Sequence, residues 1–121
     1  MKRIIIISIL LLLPMLLVGC ESSQMKEAKE KCKEALKEVY QNANDDTITT
    51  CIADISKEKM EVSYKFCKNT NNDIYTIAGK YSKGDTLYDM YIDYYDQLKS
   101  KEVDNKDEDY YAFEFEASEL K

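Results

Sequence analysis

The hydrophobic period of this chain changes at Asn44-Asp45-Asp46, and that change restricts it to a helix followed by sheet. Over residues 24–43, Met25, Ala28, Cys32, Ala35 and Val39 recur at spacings of three and four, with Leu36 and Tyr40 widening the stripe. Ser22 or Ser23 suits the N-cap, and Lys and Glu fill the opposite face, Glu27 and Lys31 forming an i,i+4 pair. From Thr47 the period becomes two. Thr47–Ile55 and Met60–Cys67 read as strands joined through Ser56-Lys57-Glu58-Lys59. Setting Ile55 opposite Met60 places Ala53 opposite Val62, Cys51 opposite Tyr64 and Thr49 opposite Phe66. Met60, Val62, Tyr64 and Phe66 then share one face.

A second hairpin is expected from Ile74–Tyr81 and Thr86–Tyr95, around the turn Ser82-Lys83-Gly84-Asp85. Its register puts Tyr81 opposite Thr86, Gly79 opposite Tyr88, Ile77 opposite Met90 and Tyr75 opposite Ile92. A rival reading makes 86–98 a helix, because Leu87, Met90, Tyr91, Tyr94 and Leu98 also fit a 3.6 period. The Tyr and Ile content favours the strand. Gln97–Asp109 is polar and reads as a loop or fraying helix. Tyr110–Ala117 alternates again, with Tyr111, Phe113 and Phe115 on one face, and reads as a last strand. Residues 24–121 thus form a single small α+β domain, an N-terminal helix packed on one face of an antiparallel, four- to five-stranded meander. Its element order resembles the cystatin-like arrangement of some small lipoproteins, without any inhibitory-loop motif.

Ahead of this domain, Lys2 and Arg3 precede an apolar run from Ile4 to Val18 that ends in Leu17-Val18-Gly19-Cys20. About 15 apolar residues fall short of the roughly 20 a spanning helix needs. The segment resembles the signal peptide and lipobox of bacterial lipoproteins. That resemblance implies cleavage between Gly19 and Cys20, a diacylglyceryl group on the Cys20 thiol, and residues 20–23 as a lipidated tether. It places the domain at the cell membrane, lipid-anchored, on the extracytoplasmic face. Two acyl chains anchor stably where one gives only marginal binding.

Removing residues 1–19 from the 121 leaves 102, enough for one domain. Without Lys2 and Arg3 the chain carries 15 basic and 23 acidic residues, a net charge near −8. Such a surface repels nucleic acid phosphates and anionic headgroups, so nucleic acid is not an expected partner. The chain has no His, which removes the commonest general base and zinc ligand. No cofactor and no metal site is expected, and the chain is read as non-enzymatic.

With Cys20 assigned to lipid, Cys32, Cys51 and Cys67 remain in a compartment that permits disulfides. Cys32–Cys51 would pin the helix to the sheet; a change of hairpin register would favour Cys51–Cys67 across neighbouring strands instead. Three further constellations invite a functional reading. Asn105, Asp107, Asp109 and Glu116 match positions 1, 3, 5 and 12 of an EF-hand loop, but Tyr110 stands where that loop needs Gly. Asp85, Asp89, Asp93 and Asp96 form an acidic stripe, which a small hydrolase working with surface carboxylates would need in a cleft. Tyr91 and Tyr95, with Asp89 and Asp93, form a candidate binding face in the strand reading. The expected function is a lipid-anchored extracytoplasmic binding protein with a protein partner, of immunity or inhibitor type. The alternative is an accessory subunit of an envelope complex that uses the helix stripe.

Overall fold

The computed structural model describes residues 23–104 and 108–121. Helix α1 (Ser23–Ala43) is followed by strands β1 (Ile48–Ser56), β2 (Val62–Asn69), β3 (Ile74–Thr76) and β4 (Gly79–Tyr81). Helix α2 (Tyr88–Val103), strand β5 (Tyr110–Glu116) and a short 3-10 turn (Ala117–Glu119) complete the described chain. All five strands join one antiparallel sheet in the order β4-β3-β2-β1-β5. The fold is α+β with the N-terminal helix packed on the sheet, as the period change implies.

α1 buries Ala28, Cys32, Leu36 and Val39 completely. They meet Cys51, Ala53, Ile55, Cys67, Tyr75, Phe115 and Leu120 in one cluster. The period-two residues Tyr111 and Phe113 of β5 pack against the same cluster. β1 is interior, between β2 and β5, and buried continuously from Cys51 to Ile55, a run that only a strand covered on both faces can present. Its second face carries Ile52, which joins Phe66, Ile74 and Ala112 under Tyr88, Tyr95 and Leu98 of α2. The sheet therefore lies between two helices, and the expectation of one covered face is corrected.

Three assignments change with it. Residues 88–103 are helix, not strand. The 3.6 period extends through Leu98, and a strand ending at Tyr95 would leave that leucine without a core. Packing overrides the strand preference of Tyr and Ile here. The turn at Ser82–Asp85 does exist, with Gly84 at φ 106°, but it leads into α2. The Ile74–Tyr81 run folds on itself as the β3–β4 hairpin around Ile77-Ala78, pairing Thr76 with Gly79 and Ile74 with Tyr81. The expected pairing of Tyr81 with Thr86 is therefore absent.

The β1–β2 register also differs from expectation: Cys51 faces Cys67, Ile52 faces Phe66, Asp54 faces Tyr64 and Ile55 faces Val62. The connection is wider than expected, with Ser56 N–H donating to the Glu61 carbonyl (3.0 Å) and Met60 at φ 56°. A bulge at Ser63 then separates Val62 from Tyr64. An extra residue in one strand inverts the facing of everything beyond it. Val62 and Met60 consequently pack against the α1 cluster, while Phe66 turns to the α2 side. The four residues expected on one face are divided between two.

The same register joins Cys51 to Cys67 in a disulfide across neighbouring strands, 16 residues apart in sequence, and leaves Cys32 free and buried. The Cys32–Cys51 bridge is thereby corrected to its alternative. Closing a loop of that size contributes about 3 kcal/mol in the chain-entropy account.

Candidate functional site

The exposed apolar surface of the domain concentrates where β2 meets the β3–β4 hairpin and α2. β3 ends at Thr76 and pairs only with Cys67 and Lys68 of β2. Among the described residues, Val62–Phe66 therefore has no strand beside its outer edge. Where β3 would continue, the chain turns away through Thr76, Ile77 and Ala78. A cleft of about 280 Å³ lies between that turn and Tyr64, Lys65 and Phe66, with Tyr91 of α2 closing one side.

The cleft wall is aromatic. The Tyr64 ring stacks on Phe66 at 6.0 Å and meets Tyr94 at 5.1 Å; Tyr91 lies 5.9 Å from Phe66 and 4.6 Å from Tyr81. Partial desolvation, and then the neighbouring Tyr81 hydroxyl, push the Tyr91 phenol above its ordinary value. Tyr64 remains 40% exposed and Ile77 45%. Met90 and Leu87 are also exposed and lie one helical turn before Tyr94 and Tyr91 respectively, on the same flank. Solvent-facing apolar residues gathered this way mark interaction surfaces.

A polar hub holds the hairpin wall in place. The buried Asn69 side chain accepts the Asn71 and Asp73 amides (3.0 and 2.9 Å) and donates to Asp45 and Asp73 (3.2 and 3.0 Å). Tyr75 donates its hydroxyl to Asp45, and Lys80 pairs with Asp73 at 3.2 Å. Donors from Thr47, Tyr75 and Asn69 hold the Asp45 carboxyl well below the usual carboxylate range. Tyr88 donates to the Asn72 carbonyl (2.8 Å), fastening α2 to the same loop.

The residues singled out from sequence fall differently. Tyr95 is fully buried, its hydroxyl 2.5 Å from the Thr50 hydroxyl and donating to Glu114 at 3.1 Å. Tyr91 lines the cleft, whereas Asp89 and Asp93 are exposed on the other flank of α2, Asp93 accepting from Gln97. The four do not form one face, because 3.6-residue geometry separates pairs that a strand would align. Asp85, Asp89, Asp93 and Asp96 are all exposed; Asp85 precedes α2 and accepts the Ser82 amide at 2.6 Å. Asp109 and Glu116 bracket the extended strand β5, about 23 Å apart at strand rise, so they do not share a coordination loop. Asn105 and Asp107 lie outside the described residues, as do Gly19, Cys20 and all of 1–22. Among the described residues no group of three His, Cys, Asp or Glu side chains is placed to hold a metal, and no helix is long and apolar enough to cross a membrane.

Two buried groups stand apart from the cleft. Burial, and then the charge of Asp54, push the Cys32 thiol up to about 12, so it is protonated and unreactive at neutral pH. Asp54 lies in the middle of β1 with one oxygen 3.6 Å from the Lys101 ammonium and the other without a hydrogen-bond partner. Desolvation outweighs Lys101 and raises its pKa. A lone Asp inside Cys51-Ile52-Ala53-Asp54-Ile55 is the sequence signal for it. The cleft itself had a weaker signal, the aromatic density of Tyr64, Phe66, Tyr91 and Tyr94. Those residues meet only once 88–103 is helical.

No family model, no curated protein and no solved structure matches this chain.

Proposed function

We propose that this protein is a lipid-anchored extracytoplasmic binding protein that contacts a protein partner through the aromatic cleft between β2, the β3–β4 turn and α2. The observation that carries the reading is the cleft: Tyr64 and Ile77 stay exposed beside Phe66 and Tyr91 at the margin of the α2-side core, although both faces of the sheet have a buried core. Rigid tyrosine rings bury area at low entropic cost, which suits a contact surface. The anchor rests on Leu17-Val18-Gly19-Cys20 and the apolar segment ahead of it. The described helix begins at Ser23, three residues beyond Cys20, so lipidation there holds the domain against the bilayer on a short tether. The stripe of α1 is fully occupied by its own sheet, which leaves the cleft as the better contact surface.

Crosslinking with mass spectrometry on the membrane-bound protein tests both parts together. The expected result is a diacylglyceryl group on Cys20 with residues 1–19 removed, and crosslinks to one neighbouring protein from Lys65, which lines the cleft. An unmodified Cys20, or crosslinks confined to α1, would overturn the reading. Cys20→Ser should abolish palmitate incorporation and leave the precursor uncleaved.

A further inference from the structure

We infer that the domain stands on the lipid surface with one defined end down, the end that carries Val103 and Tyr110, an inference that rests on the lipid anchor at Cys20 proposed above. Four parts of the chain meet at that end. Gln24, in the first turn of α1, donates to the Lys57 carbonyl at 2.6 Å, and Lys31 donates to the Met60 carbonyl at 3.4 Å, so α1 starts beside the β1–β2 connection. Ser56, the last residue of β1, pairs with Tyr110, the first of β5. Lys101, in the last turn of α2, reaches Asp54 at 3.6 Å and lies 4.9 Å over the Tyr110 ring. Asp45 and Asn69 meet at the other end of β1, about 27 Å away at strand rise.

The length of chain between the lipid and α1 brings this end to the membrane. Cys20 and Ser23 are three peptide units apart, which span at most about 11 Å when extended. The acyl chains draw the Cys20 sulfur to the boundary of hydrocarbon and headgroup, and the headgroup layer of one leaflet is about 5–8 Å deep. The start of α1 is therefore confined to that layer or just above it, and the Val103–Tyr110 end with it. Two postures satisfy this, the domain standing on that end or lying along α1.

Surface chemistry chooses between them. The outer face of α1 carries Lys26, Glu27, Lys29, Glu30, Glu34 and Glu38, and none of the exposed residues of α1 is apolar. The lower end offers two apolar contacts. Val103 is 86% exposed and Tyr110 37%, and neither belongs to the cleft or its flank. A tyrosine favours the headgroup level, where its ring leaves water and its hydroxyl stays wet, and an exposed valine gains by being covered. Charge does not drive the contact, because Lys57, Lys59 and Lys101 share this end with Glu58, Glu61, Asp104, Glu108 and Asp109. The tether supplies proximity and the two apolar residues fix the posture. Tyr64 and Phe66, paired with Asp54 and Ile52, then lie only about 7 and 14 Å above the Ser56 end. The partner of the cleft is met close to the bilayer.

The test uses three variants of the full chain, Lys59→Cys at the lower end, Glu34→Cys on the outer face of α1 and Thr70→Cys at the far end, all exposed positions. Cys32 is buried and Cys51 is bridged to Cys67, so a fluorophore goes to the introduced thiol. Each lipidated protein is placed in phosphatidylcholine vesicles that contain a phospholipid with a nitroxide headgroup, a short-range quencher. Quenching at position 59 should exceed that at 34 and 70 by about tenfold, the ratio that a preference of about 1.4 kcal/mol for the standing posture gives. Val103→Ser combined with Tyr110→Ser should lower quenching at 59 to the level at 34, with an unchanged circular dichroism spectrum. Strongest quenching at 34 would lay the domain along α1 and overturn the inference, as would equal quenching at all three positions. A ratio that survives loss of Val103 and Tyr110, or that rises when phosphatidylglycerol is added, would overturn their role. The intact mass of the same samples separates posture from anchor. A Cys20 without lipid ends both, whereas a lipidated chain quenched equally at all three positions ends only the posture.

Discussion

Replacing Leu98 by alanine examines the second layer of the fold, where helix and strand readings of 86–98 diverge most. Leu98 is 3% exposed and packs with Ile52, Phe66, Ile74, Tyr95 and Ala112. Truncating a buried leucine costs about 2–5 kcal/mol, the transfer of the lost atoms plus the cavity left behind. Leu98 lies in the last two turns of a helix that faces solvent on its outer side, so partial collapse is available and about 3 kcal/mol is expected. For a domain of this size the urea slope is about 1.5 kcal/mol per molar, which places the midpoint about 2 M lower. Far-ultraviolet circular dichroism through a urea titration, on protein lacking residues 1–20, reads it directly. Leu87→Ala is the internal control: Leu87 is 39% exposed and should cost less than about 1 kcal/mol. If 86–95 were a strand followed by a polar loop, Leu98→Ala would change stability by no more than about 0.5 kcal/mol. That result, with an unchanged slope, would refute the two-helix sandwich.

Cys32 should resist iodoacetamide in the native protein and react once urea unfolds it, with Cys51 and Cys67 staying unmodified until a reductant is added; peptide mass spectrometry distinguishes the three. Asn69→Ala should cost about 2 kcal/mol, since it orphans two turn amides and removes a donor from Asp45 and Asp73, and a thermal melt measures it. Asp45 has a depressed folded-state pKa, so its stabilising contribution is complete above about pH 4, the unfolded carboxyl value, and is lost as pH falls below it. Asp45→Asn should flatten the acid limb of the stability profile. Asp54 has the opposite sign: its raised pKa means that the carboxyl destabilises the fold as pH rises through and above about 4. Asp54→Asn should therefore gain stability over the parent at pH 7 and lose that advantage in acid, measured by the same melts across pH.

Much of the fold was legible because it followed from periodicity alone. Ala28, Cys32, Leu36 and Val39 recur at helical spacing, and they are the residues that α1 buries. Tyr111, Phe113 and Phe115 alternate, and they line one face of β5. The errors arose where two local signals competed and a distant contact decided between them. Tyr88–Tyr95 satisfies both periods, and only Leu98, beyond the strand that was expected, needs the helix. The β1–β2 register turned on a wider connection and on the Ser63 bulge, neither of which leaves a signature in residue type. Once the register moved by an odd number, Cys51 faced Cys67 and the bridge to Cys32 was excluded. The candidate site depended on all of these at once. Tyr91 lines the cleft, but Tyr95, Asp89 and Asp93 diverge from it as soon as the backbone coils. The cleft joins three elements, and its open edge exists only because β3 stops at Thr76.

A photoreactive residue placed at position 77, on the rim of the cleft, and compared with one at the exposed position 46 tests the central claim most directly. In cells carrying the full-length protein, position 77 should form one dominant adduct in the membrane fraction, and position 46 should form none. Converting Tyr64 and Tyr91 to alanine should reduce that adduct at least about tenfold while circular dichroism stays unchanged. Equal adducts from both positions, or an adduct from position 77 that survives loss of both tyrosines, would contradict the claim that the aromatic cleft is where this protein meets its partner.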